Sequence, residues 1–78
     1  MEYEVLKKSI EKILRVYNGE ILPEATFENE LGADSIDMAQ IMKLVEEELA
    51  IKLPVDEWAA CGTVGDALKL ILRVKNNE

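Results

Sequence analysis

Three observations predict an all-α fold, a small four-helix bundle with three main helices, a short third helix and a long first loop. Apolar residues recur at three- and four-residue steps in three separate stretches. No run alternates with period two, so no strand is expected. The breaks between stretches carry Gly, Pro or helix-capping residues. The chain has 78 residues, of which 49% are hydrophobic. That length is enough for one small domain, expected over residues 1–78, with net stability of only about 3–5 kcal/mol.

The first stripe is Tyr3, Leu6, Ile10, Ile13, Leu14 and Tyr17, which predicts a helix over about residues 2–17. Asn18-Gly19 is expected to stop it, because both residues tolerate the left-handed region. Residues 18–34 show no period and contain Pro23. Loops this long are uncommon in small domains and often functional. Phe27 and Leu31 are expected to pin it to the core. The second helix starts near Ser35, with Asp34 as N-cap and Asp37 at the box position. Its buried stripe is Met38, Ile41, Met42, Val45 and Leu49, and Ile36, Gln40, Lys43 and Glu47 fall on the opposite face.

Pro54 ends the link from Ala50 to Leu53. Asp56 is expected to cap a short helix running through Trp58 to Cys61 and closed by Gly62. Thr63 with Asp66 caps the last helix, whose apolar face is Val64, Ala67, Leu68, Ile71 and Leu72. Asn76, Asn77 and Glu78 are expected to fray. Trp58 and Cys61 read as core residues, and Met38 and Met42 as ordinary packing or as a yielding core.

Composition narrows the function. The formal net charge is −7, so nucleic acid is not an expected partner, whereas basic protein patches are. The single cysteine, Cys61, allows no internal disulfide and fits a reducing cytoplasm. The acidic start, Met1-Glu2-Tyr3-Glu4, lacks the basic region of a signal peptide. No apolar run reaches the roughly 18 residues of a membrane span. The chain has no histidine, which removes the usual general base and most zinc sites. No Asp-x-Asp-x-Asp-Gly loop orders the carboxylates for calcium. An enzyme and a metal site are not expected, and a monomer is.

Ser35 is the residue that carries chemistry. In the first turn of a helix it meets unpaired backbone N–H groups and the positive end of the dipole, which favour a phosphoester there. Serine is also simply a preferred residue at helix starts. The wider context is more specific. Leu31-Gly32-Ala33-Asp34-Ser35-Ile36-Asp37, followed by a helix ending Val45-Glu46-Glu47-Glu48-Leu49, resembles the acyl carrier proteins. The family's attachment motif is Asp-Ser-Leu, here Asp34-Ser35-Ile36, usually preceded by Leu-Gly and followed by Asp. The resemblance spans the whole chain in length, acidity, helix order and long first loop.

The resemblance implies a carrier in which a phosphopantetheinyl transferase moves 4′-phosphopantetheine from coenzyme A to Ser35. Asp34 and Asp37 join Ser35 as the expected cofactor-binding group. The arm's thiol would hold acyl groups as thioesters for enzymes of fatty-acid or specialised lipid or polyketide synthesis. The acyl-transferring and chain-elongating partners would bring basic patches to the second helix. By position Ile36 is the apolar contact, Asp37, Glu46 and Glu47 are charged contacts, and Gln40 and Lys43 share that surface. Gln40 replaces a common acidic residue, Lys43 a common apolar one, and Ala39 a usual Val. These departures point to a specialised carrier whose Lys43 discourages partners built for an apolar contact. Met1 and the charged tail point to a free-standing chain. Two other readings stay open: an aminoacyl or peptidyl carrier, which more often shows Gly-Gly-[His/Asp]-Ser-Leu, and a helical interaction module that is never pantetheinylated.

Overall fold

A computed structural model describes residues 1–77. It has four α-helices, α1 (Glu2–Leu14), α2 (Ser35–Leu49), α3 (Val55–Ala59) and α4 (Val64–Asn76), and a single 3-10 turn at Asn18–Glu20. Among the described residues there is no strand, and Thr26 and Thr63 form one isolated antiparallel bridge. α1 packs on α2 and α4, α2 on α3, and α3 on α4. This is the expected small helical bundle with a long first loop.

One core joins these elements. Leu6 and Ile10 come from α1, Ile41 and Val45 from α2, Trp58 from α3, and Val64, Ala67 and Ile71 from α4. The long loop contributes Ile21, Ala25, Phe27, Leu31 and Ala33, all buried. Phe27 and Leu31 pin it as expected. The Phe27 and Trp58 rings lie 6.3 Å apart at a tilt of 48°. Large aromatics hide about 150–250 Å² each, worth up to roughly 4–6 kcal/mol at about 25 cal/mol/Å². The loop is thus held largely by its side chains.

Five local expectations are corrected. α1 ends at Leu14, not near Tyr17. Arg15 adopts the left-handed conformation (φ 57°), and its N–H donates to the Glu11 carbonyl. The chain then doubles back, Val16 packs against the core, and Tyr17 is left 76% exposed. The Tyr3 hydroxyl donates to the Ile21 carbonyl at 3.2 Å and holds the returning loop to α1. The short helix begins after Pro54, so Asp56 lies in its first turn and is not its cap. Pro is favourable at a helix start because its missing N–H would be unpaired there. That helix closes at Ala60, and Gly62 belongs to the approach to α4. In α4, Leu70 is buried while Leu72 is 38% exposed, so the buried face is turned from the one expected. α4 also continues through Asn76, where fraying was expected, and the Glu78 part of that expectation lies outside the described residues.

Trp58 is a core residue, with Nε1–H donating to the Met38 carbonyl at 2.8 Å. That bond satisfies the indole and fastens α3 onto α2. Met38 and Met42 are half-buried at the margin of the core, and Ile41, Val45 and Leu49 form the buried row of α2. Arg73 on α4 pairs with Glu57 on α3 at the surface, and both side chains are about half exposed. Such a pair contributes at most about 1 kcal/mol.

Candidate functional site

The start of α2 is built from backbone upward. Gly32 has φ +72°, a conformation that L side chains rarely adopt, and nothing lies where a Cβ would stand. This residue redirects the chain, so that the Ala33 N–H reaches the Phe27 carbonyl at 2.7 Å. Ala33 is buried and anchors the last loop residues before the helix. Asp34 then caps the helix. Its Oδ1 accepts from the Asp37 N–H at 2.8 Å, and Asp37 Oδ2 accepts from the Asp34 N–H at 3.2 Å. This reciprocal box, expected from the sequence, satisfies donors that a helix start leaves unpaired. It also orients both carboxylates toward the backbone.

Ser35 is the first residue of α2 and is exposed. Its hydroxyl makes no hydrogen bond among the described residues. Ile36 beside it is 67% exposed, unusual for so large an apolar side chain. A groove of about 340 Å³ runs from Ser35 past Ala33, Phe27 and Met38 to Cys61. Its walls are mixed, with Phe27, Ala33 and Met38 on the apolar side and Glu28 and Asp34 on the polar side, and its far side is the approach to α4. Sequence reasoning missed the groove, because its two walls lie far apart in the chain. The clue was Trp58, whose indole N–H needed a partner and found one on α2.

The remaining sequence-selected residues separate into two groups. Gln40, Lys43 and Glu47 are exposed and, with Ile36, form one row along α2. Glu46 departs from that row. It is half-buried, and Oε2 accepts from the Leu53 N–H at 2.7 Å. Its carboxylate therefore holds the α2–α3 link, whose residues Ile51 and Leu53 enter the core. Cys61 is partly buried and its Sγ–H donates to the Glu57 carbonyl at 3.3 Å. Burial pushes its thiol pKa up from the ordinary value, and the Asp66 and Glu57 carboxylates push it the same way. Less of it is therefore present as the nucleophilic thiolate near neutral pH.

No helix among the described residues is long and apolar enough to cross a membrane. The site can accept an anionic ester on an exposed hydroxyl, at the positive end of a helix and beside a groove with both polar and apolar walls.

Comparison with known proteins meets this geometry. The family described as "Phosphopantetheine attachment site" matches residues 4–71. An acyl carrier protein from Sulfurovum sp. (strain NBC37-1) is 35% identical over 72 residues, which cover 92% of this chain and 96% of that protein. With a match over nearly all of both chains and a helical bundle to fit it, this chain belongs to the acyl carrier protein family, whose prosthetic group is phosphopantetheine.

Proposed function

We propose that Ser35 is the attachment point and that this carrier delivers acyl thioesters between enzymes of fatty-acid or specialised lipid synthesis. The observation that carries the reading is the Ser35 hydroxyl: exposed, unbonded and first in α2. A phosphopantetheinyl transferase supplies the chemistry. The Ser35 oxygen forms the new phosphoester bond, coenzyme A loses 3′,5′-adenosine bisphosphate, and the hydroxyl proton leaves to solvent or to a base on the transferase. Once attached, the arm supplies a terminal thiol that holds acyl groups as thioesters.

The chain's own residues position that arm. The first-turn N–H groups favour the phosphate's negative charge. Asp34 and Asp37 neighbour it and are held by the capping box, which limits how far they crowd the phosphate. The groove beside Ser35 offers apolar surface to the arm or its cargo. Ile36 gives partners an apolar contact, and the acidic surface draws enzymes with basic patches. The whole chain is read as one carrier domain working in the cytoplasm, a reading supported by a core drawn from all four helices and by the lone, inert cysteine.

Incubation with coenzyme A and a broad-specificity transferase, followed by intact mass, tests the reading. One phosphopantetheine increment is expected on the native chain and none on Ser35→Ala. An unmodified native chain, or an increment that survives Ser35→Ala, would overturn it.

A further inference from the structure

The central part of the chain is strongly acidic, and Lys43 and Lys52 are the only basic residues between Val16 and Leu68. They are nine positions apart, on α2 and on the α2–α3 link. In the folded molecule they line one groove of about 510 Å³, with Ala39, Met42 and Ile51 also lining it. The two cations thus line one groove, at the far end of the exposed row that begins at Ile36.

Nothing among the described residues neutralises them by direct contact. Neither lysine forms an ion pair among the described residues. Glu46 and Glu47 also border the groove. The Glu46 carboxylate is occupied by the Leu53 N–H. Glu47 follows Lys43 at i+4, the less favourable order for a helical ion pair. Lys43 follows Ile36 by seven residues, two turns and about 10 Å along the same face. A protein that covers Ser35 and Ile36 therefore extends over Lys43 as well.

We propose that this groove receives an acidic side chain of the partner enzyme, so that Lys43 and Lys52 select partners with a carboxylate set within an otherwise basic docking patch. The inference rests on the carrier reading of Ser35. Charge complementarity carries it: neither lysine is ion-paired among the described residues, the Glu46 carboxylate is held by the Leu53 N–H, and an incoming carboxylate can pair with either lysine.

The test uses the full chain, loaded from acyl-coenzyme A by a broad-specificity transferase, and a general fatty-acid ketosynthase. The ketosynthase is prepared as a panel of single Arg→Glu and Lys→Glu variants across its carrier-docking patch. At least one variant is expected to lower the KM for the native chain by about threefold to tenfold. That gain is expected to vanish with the K43M/K52M chain. If no variant gains, or if the gain persists with K43M/K52M, the inference is overturned. Loading is read separately by intact mass. A chain that does not load sinks the carrier reading and this inference together, while a loaded chain puts only the inference at stake.

Discussion

α2 and α4 begin with the same device and use it for different ends. Each starts with a capping box: Asp34 with Asp37, and Thr63 with Asp66. At α4 the box is bolted into the molecule. The Val64 N–H donates to the Ala25 carbonyl, the Gly65 N–H to that of Pro23, and Val64 itself is fully buried. Gly65 lets the two segments approach, since a Cβ would stand 3.0 Å from the Pro23 carbonyl oxygen and would press the backbone apart by a few tenths of an ångström. At α2 the residues after the cap, Ser35 and Ile36, face outward. Local capping chemistry therefore makes a helix start, and the next one or two side chains decide whether it seals a core or presents a group.

The two helix starts should separate most clearly at Ser35 and Val64, the residues just after the caps. Ser35→Ala should abolish modification entirely and leave the unfolding midpoint unchanged. Val64→Ala should do the reverse. It removes two buried methyl groups and should cost about 2–3 kcal/mol in urea unfolding, while the surviving folded chain is modified normally. Ile36→Ala, by contrast, should stay within about 0.5 kcal/mol of the native stability. It should still lower transferase kcat/KM, by about threefold to tenfold. A large stability loss in Ile36→Ala would mean that its side chain is not the free contact described.

The caps themselves should be nearly equal in stability. Asp34→Ala and Thr63→Ala are each expected to cost about 1 kcal/mol. Only Asp34→Ala should also slow the modification of Ser35, measured as the initial rate at equal folded fraction. Equal slowing in both variants would erase the distinction between the two helix starts.

The smallest effect concerns Cys61, which lies on the groove between the two starts. Its thiol pKa is raised, so the reactive thiolate is scarcer in the folded chain than in the unfolded one at pH 8. Iodoacetamide should label Cys61 more slowly in buffer than in urea, and the gap should narrow as pH rises. Equal rates in both states at pH 8 would contradict the shift.

Legibility in the sequence tracks the range of the interactions. Both capping boxes, the buried row of α2 and the exposed row opposite it are local patterns, and they were readable. The family was readable for the same reason, since the seven residues that resemble it are contiguous. The end of α1 was not, because Arg15 turns the chain so that Ile21 can reach the core. The inward turn of Glu46 depends on a backbone N–H seven residues later. The burial of Leu70 in place of Leu72 depends on how α4 is rotated against its neighbours. Each of these is settled by tertiary packing, which overrides local preference.

Phe27 uses its two backbone groups in opposite directions. Its N–H donates to the Gly62 carbonyl at 3.0 Å, and its carbonyl accepts from Ala33, just ahead of Ser35. The first of these bonds closes a long stretch of chain, and such closures are paid for in entropy before they return any stability. Loop-closure entropy predicts that the helices form early and that the strap across residue 27 is fastened late. On the proposed function, a transferase that reads the arrangement around Ser35 would inspect finished molecules, and the rate at which newly made chain becomes modifiable should keep time with that last closure.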